Sequence, residues 1–521
     1  MAVESGAYKI LSGSCLALLM GWLVRPLPAQ YAGDEACVRC HPAEARAFRR
    51  TGMARSMAPP TAGDSLGEFR KPARVPGPAG IAYVTAIRNG GFYQETVRGG
   101  VVLESHEVLY GIGSGEHGRS YVVARGDGLF LAPLSYYTPK AAWDLSPGYA
   151  AGAFRDFLRP VTASCVFCHG ALPQQPFRPL AISCERCHGP GETHVKQPAA
   201  GIVNPARLSG RLRDDVCYQC HLGGDIRILK PGRTELDFRP GAQLDEVVAV
   251  FSAPPGVKPD GLDAVGQVGQ LRMSRCWKES QGRLGCITCH DPHAEQSGPG
   301  AAAFYRSRCQ QCHEQRPCVA PARRRSATSP PDNCVGCHMP KSSLNRIAHI
   351  AHTNHRIFRR PQDVLDPSLA SAAGFDLVSE GEADPRSRAL AYSEAARSMP
   401  AFTDRALRLL EEALKVDPRD ADLTAAYGLV RQAPQFLERA VELGSRSGEV
   451  RLALCELLVT SSHCRSAIEL TPYDPAPYLR LIRLHLQQGN RLDAAGVLHQ
   501  LREFDPANPA LPELARQVGE P

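Results

Sequence analysis

Aromatic side chains are scarce, at 7% of the chain with three Trp in 521 residues. The N-terminal half has too few of them to build an ordinary apolar core on its own. The basic run Arg323-Arg324-Arg325 has no interleaved aromatics and sits in a Pro/Ser-rich loop. That excludes a stacking platform for nucleic acid and leaves a solvated or anion-facing role. The Gly-rich loop 111–121 lacks the Lys and the helix context of a phosphate loop. It does carry His117 on a flexible approach, just after His106. The apolar run Ile10–Val24 is too short for a comfortable membrane span. With Lys9 before it and Leu27-Pro28-Ala29 after it, residues 1–29 read as an export signal. A retained anchor is the alternative, because Arg25 directly flanks the run; membrane association is expected only through such an uncleaved N-terminus. Cys15 sits in no convincing lipobox, since apolar residues continue after it.

Cysteine, by contrast, is abundant and patterned. Fourteen of the 19 Cys fall into seven copies of Cys-x-x-Cys-His. The first four are Cys37, Cys40 and His41; Cys165, Cys168 and His169; Cys184, Cys187 and His188; and Cys217, Cys220 and His221. The last three are Cys286, Cys289 and His290; Cys309, Cys312 and His313; and Cys334, Cys337 and His338. Each is the attachment signature of a c-type haem. Two thiols one turn apart reach one edge of the macrocycle, and the adjacent His ligates the iron from one side. A zinc site would pair one Cys-x-x-Cys with another, or with two His. It gives no reason for a His after every second Cys. Seven covalent haems c, with their iron, are the expected cofactors. Covalent attachment happens outside the bacterial cytoplasm, so a periplasmic or otherwise exported location is expected. The formal charge of +7 is then a counter-charge to haem propionates worth about −14 in total.

A chain of this length should hold two or more domains. The motifs place a haem-bearing domain at 34–360. No motif lies between His41 and Cys165. Strand–turn–strand patterns at 80–97, around Asn89-Gly90, and at 120–134 predict a small antiparallel β subdomain inserted over about 70–145. Residues 223–285 read as a polar, Gly/Pro-containing connection.

Each iron has a second axial position. Of the 17 His, seven follow the motifs and seven more lie in the same region. The best candidates for second ligands are His117, His194, His293, His349 and His355, with His106 and His352 behind them. His349, His352 and His355 crowd one short stretch, so about two of them are expected to ligate. Met53 and Met57 are alternatives, Met53 the better, since a thioether can serve and raises the potential. Both could equally fill apolar gaps. One or two haems then need Met53 or His106, or stay open.

Beyond a linker at 361–384 the texture becomes helical. Leu407, Leu410 and Leu414 share a face. Pro472 to Pro506 spans 34 residues, the tetratricopeptide period. Tyr478, Gly489, Ala494 and Leu498 fall at the repeat's marker positions, while 430–460 is degraded. About three helix pairs are expected over 385–521, with a plain bundle as the alternative. Stacked repeats offer a concave surface for a protein partner. Cys455 and Cys464, nine apart, either pair or serve as buried apolar residues, the latter being favoured.

Cys184–His194, which reads Cys-Glu-Arg-Cys-His-Gly-Pro-Gly-Glu-Thr-His, carries a family resemblance together with Cys286–His293, Cys334–Pro340 with the His349–His355 stretch, and Cys37–Met57. The haem-bearing region resembles the multihaem cytochromes c of the superfamily that includes cytochrome c nitrite reductase, hydroxylamine oxidoreductase and their small tetrahaem relatives. The whole chain is similar to exported proteins that fuse such a cytochrome to tetratricopeptide repeats. The resemblance implies that His194, and His349 or His355, are distal ligands. Met53 stands where relatives often place a distal His. The Cys-x-x-Cys-Lys variant of many nitrite reductases is absent, as is a recognisable Tyr cross-link site. The expectation is a mainly α, haem-cored cytochrome with a β insert and a helical-repeat domain. It would pass electrons between redox partner proteins and dock through its repeats. The alternative is an oxidoreductase acting on a small nitrogen or sulfur species at one open haem.

Overall fold

The computed structural model describes residues 31–60, 68–149, 155–170, 181–199, 201–252, 266–315, 318–341, 353–359, 377–379 and 381–519. The expected export signal, His349, His352 and most of the expected linker lie outside them. Among the described residues no helix is long and apolar enough to cross a membrane.

After the first motif the chain turns to strands. β1 (Met57–Ala58), β2 (Arg74–Pro76), β3 (Ile81–Arg88), β4 (Gly91–Arg98), β5 (Val101–Ile112), β6 (Ser120–Arg125), β7 (Gly128–Leu131) and β10 (Arg159–Pro160) form one antiparallel sheet. Its order is β10-β7-β6-β5-β4-β3-β2, with β1 laid along the end of β5. β8 (Leu134–Tyr137) and β9 (Ala142–Leu145) make a separate ribbon. The Asn89-Gly90 turn has φ of 49° and 81°, the left-handed pair that a two-residue hairpin needs, and it sets the β3–β4 register Arg88↔Gly91. The sheet outgrows the expected insert at both ends, because β1 and β10 are two-residue strands too short to show alternation. The scarce aromatics concentrate here: Phe69, Phe92, Tyr121, Phe130, Tyr136 and Phe157 pack with Val108 and Val123 into one core.

A second sheet corrects the polar connection expected at 223–285. β11 (Ile226–Leu229) pairs with β12 (Val248–Ser252), and β12 pairs with β13 (Val378–Ser379). Tyr218, Leu222, Phe238, Leu244, Val248 and Val268 form a compact core on one side. Apolar residues spread thinly among Gly and Pro hid this arrangement.

The C-terminal region is a helical repeat. Its pairs are Pro385–Ser398 with Thr403–Val416, Ala421–Arg431 with Pro434–Glu442, Gly448–Leu458 with Ser461–Leu470, and Pro475–Gln487 with Arg491–Phe504; Leu511–Val518 closes the stack. That is four pairs, not three. The stretch 430–460 keeps the helices while losing the marker residues. Cys455 and Cys464 are fully buried and disulfide-bonded, joining the two helices of the third pair.

Both ends of the repeat are fastened to the rest of the chain. At the first, Ala391, Tyr392, Ala395 and Phe402 pack on Ile226, Ala249 and Phe251. At the last, Tyr473 packs on the Phe130 core, and Ala507 joins Tyr83 and Leu134 in another. Arg155 holds Asp505 through both guanidinium nitrogens, one bond being 2.8 Å. Gly126, at the β6–β7 turn with φ 51°, lies so close to the Tyr473 hydroxyl that any Cβ would collide with it.

Candidate metal centres

The seven motifs sit on short helical turns, four to seven residues long, or at the ends of longer helices. No motif cysteine is disulfide-bonded. From Cys286 to Lys341, no described residue is buried, although this stretch holds four helices and three motifs. Helix Ala301–His313 runs 13 residues without burying one. A helix normally owes its stability to a packed face, and these helices leave theirs no more than half-buried among the described residues.

Three pairs of imidazoles face each other. His41 lies opposite His194 with ring centres 6.4 Å apart and planes 18° from parallel. His188 and His293 are 5.9 Å and 11° apart; His290 and His355 are 6.2 Å and 29° apart. Each pair combines one motif His with one second His. An offset stack reaches such separations too. But an iron held between two imidazoles by bonds of about 2 Å also sets their ring centres about 6 Å apart, and the same pairing recurs three times.

The other four motif His are His169, His221, His313 and His338, and they stand outside these three pairs. His169 closes helix Ala163–His169, and its carbonyl accepts from the Ser56 hydroxyl at 2.7 Å. That bond ties the second motif to the turn that leads into β1. His313 ends helix Ala301–His313.

The remaining nitrogens are anchored as a metal-ligating imidazole requires. Nδ1 of His188 meets the Val203 carbonyl at 2.8 Å, and Nδ1 of His338 the Phe358 carbonyl at 2.6 Å. Nδ1 of His355 meets the Thr353 carbonyl at 2.8 Å; Nδ1 of His290 lies 3.4 Å from the Tyr305 hydroxyl. Each bond leaves Nε2 for another partner. Desolvation by the surrounding chain holds half-buried His188 and His355, and His221 and His290 with their exposed edges, below the usual imidazole range; for all but His355, neighbouring imidazoles add to the effect. They are therefore neutral at pH 7, the form that binds metal.

Local bonds place the second His residues. The Asp291 carboxylate accepts from the His293 amide at 2.9 Å, turning the chain just past its motif. The Gln270 side chain accepts from the His355 amide at 2.8 Å. The bridge Lys341↔Thr353 and the Phe358 amide bonded to the His338 carbonyl fold that stretch back on the seventh motif. His117 is exposed, near Lys341; desolvation, then that ammonium, lowers its pKa. His106 is elsewhere: it lies in β5, against Phe157 and 3.5 Å from the Glu104 carboxylate. Met53 lies on a short 3-10 turn, Met53–Arg55, and His194 rather than Met53 faces His41. Met57 is fully buried with Val122, Leu131 and Tyr149, which makes it a core residue.

The motifs are also adjacent in space. The thiols of Cys37 and Cys184 lie close enough to shift each other's titration, as do those of Cys168 and Cys220, Cys217 and Cys286, and Cys309 and Cys334. The other six motif cysteines, Cys40, Cys165, Cys187, Cys289, Cys312 and Cys337, stand outside these four contacts. Cys40 and Cys312 are exposed and Cys337 is half-buried, so the second thiol of the first, sixth and seventh motifs is open to a large group at the surface. The contact with Cys220, then burial, pushes the Cys168 thiol far up; burial raises Cys187 to about 11. The motif thiols with raised values are protonated at neutral pH and poor free nucleophiles. Among the described residues no three His, Cys, Asp or Glu side chains gather as a zinc-type site.

The two residues inside the third motif, Glu185 and Arg186, were passed over by sequence reasoning, yet they tie it to its neighbours. Glu185 accepts from the amides of Ala32, Gly33 and Gly191 at 2.8–2.9 Å. Arg186 donates to the Phe167 carbonyl at 2.7 Å. Two charged residues inside the third motif were the available signal.

No known protein-family model matches the chain, and no curated protein is similar to it. A solved structure described as the crystal structure of MamA protein is similar at 16% identity, over 26% of this chain and 83% of its own, with a TM-score of 0.24.

Proposed function

We propose that this chain is an exported c-type cytochrome carrying seven haems, and that it moves electrons between redox partner proteins. The observation that carries the reading is the threefold recurrence of a motif His facing a second His about 6 Å away. Haems would supply one-electron carriers at the seven motifs, and the motif cysteines and His would hold them. The unburied helices of Cys286–Lys341 fit a region whose core comes from cofactor rather than side chains.

The motif contacts support a continuous route. Cys37–Cys184 joins the first motif to the third, and Cys168–Cys220 the second to the fourth. Arg186, in the third, reaches Cys168 and Cys220, so the two pairs adjoin. Cys217–Cys286 leads to the fifth motif, Cys289 lies within electrostatic reach of Cys312 in the sixth, and Cys309–Cys334 reaches the seventh. The Cys455–Cys464 disulfide fits an oxidising compartment.

The test is a pyridine-haemochrome count with electron paramagnetic resonance on the same ferric sample. Seven low-spin haems support a closed wire. No covalent haem in protein matured with an intact haem-attachment apparatus sinks the reading.

A second reading has its own observation. His106 packs in the β subdomain, and three further His lie in the repeats. Setting those four and the seven motif His aside leaves six of the 17 to serve seven haems. At least one iron therefore lacks a second His. It takes another ligand, such as Met53, or stays open to a small nitrogen or sulfur species. A high-spin signal from one haem, with binding of nitrite, hydroxylamine or sulfite at it, would favour an oxidoreductase.

A further inference from the structure

We infer that Arg186 is a positioning residue that sets the reduction potential where the second, third and fourth motifs meet. The inference rests on the haem reading above. Arg186 is 3% exposed and, among the described residues, makes no ion pair with a carboxylate. Its Nη2 donates to the Phe167 carbonyl at 2.7 Å, and its guanidinium lies 3.9 Å from the centre of the Phe167 ring. Phe167 is inside the second motif. The Arg186 carbonyl accepts from the Gln219 side chain at 3.2 Å, and Gln219 is inside the fourth. The guanidinium lies within electrostatic reach of the Cys220, Cys168 and Cys187 sulfurs. Its Nε is buried without a partner. So one cation, held by a ring and a backbone carbonyl, lies near cysteines of three motifs.

A buried cation without an anion is costly, and an Arg stays charged regardless. At this junction its charge opposes the extra positive charge of ferric iron. In a medium of low dielectric that effect is strong. Arg186 therefore favours the reduced state of the three nearest haems and raises their potentials above those of the rest. Glu185, next to it, has the complementary task. Its carboxylate gathers three backbone amides and, with Asp34 accepting from the Cys184 amide at 3.0 Å, fastens the first motif to the third. The two middle residues of one motif thus face opposite ways along the route.

Spectroelectrochemical titration of the full holoprotein tests this, with haem content measured on each sample. Arg186→Gln is expected to keep seven haems and lower the potentials of a subset of up to three, leaving the others in place. Arg186→Lys, which keeps the charge but not the planar stack, is expected to restore them. Unchanged potentials in R186Q at full haem content overturn the inference while leaving the haem reading intact. If R186Q loses haem, R186K decides: wild-type potentials support the charge, and potentials lowered in a fully loaded R186K overturn it. A wild-type protein without covalent haem fails the underlying reading instead.

Discussion

His293 is the residue whose loss should be easiest to see. It faces His188, and the bond to Asp291 that places it is local. On the proposed haem reading, replacing it with Ala should leave the haem count unchanged and convert one haem to high spin, read by electron paramagnetic resonance; an unchanged low-spin spectrum would refute the pairing. The position of His293 just past its motif was legible in the sequence. Its partner was not, because the two facing imidazoles belong to motifs about 100 residues apart, and proximity along the chain says nothing of that pairing. Asp156 offers a second residue-scale prediction. Burial pushes its carboxyl up to about 6 against the pull of Arg155, with Glu104 and Asp505 adding repulsion. The folded value lies above the ordinary one near 3.9. Its contribution is therefore fully present below about pH 4 and is lost as pH rises through about 6, a swing of about 3 kcal/mol. Asp156→Asn should flatten that part of the profile: the gap in melting temperature between wild type and variant should change from pH 4.5 to 7. A constant gap would mean that the carboxylate is already accommodated as an anion.

At the scale of elements, the sequence was informative wherever period and turn chemistry agreed. The β3–β4 hairpin follows from alternation around Asn89-Gly90, and the last repeat follows from its 34-residue period. What escaped was short or irregular. β11 to β13 are two to five residues each, and β13 arrives from 126 residues beyond β12, so no local pattern could announce the pairing. The third helix pair was hidden for a different reason. It has lost the repeat's marker residues and has a disulfide instead. Cys455 and Cys464 close a loop of nine residues between helices that bury Val450, Leu454 and Ala467. A loop of that size should contribute about 2–3 kcal/mol. The double change Cys455→Ala and Cys464→Ala should lower the unfolding free energy of the repeat by that amount while leaving haem content and potentials unchanged. Denaturant unfolding followed by far-UV circular dichroism, beside a haem Soret signal, separates the two effects.

For the whole molecule, the fastening of the repeat at both ends changes what the repeat can be. A docking arm on a free linker would tolerate disruption of its contacts with the rest of the chain; this one would not. Tyr473 enters the aromatic core of the sheet, Arg125 donates to the Phe504 carbonyl, and Arg98 donates to the Ala507 carbonyl at 3.2 Å. Asp505 is the sharpest case. Its side chain is fully buried and its carboxylate is held by Arg155 and by Asn508 at 2.7 Å. Arg155→Ala would leave that carboxylate in the interface without its cation, at a cost of about 3 kcal/mol or more. The expected result is detachment at this end: faster proteolysis between Thr471 and Asn508, with the haem count and the first repeat pair unaffected. Asp505→Asn in the same background should recover much of the loss, because the buried charge is then gone. Failure of that rescue would mean that Arg155 acts through packing rather than pairing. The repeat would then be bound by its apolar contacts alone, and its surface would be free to move with a partner.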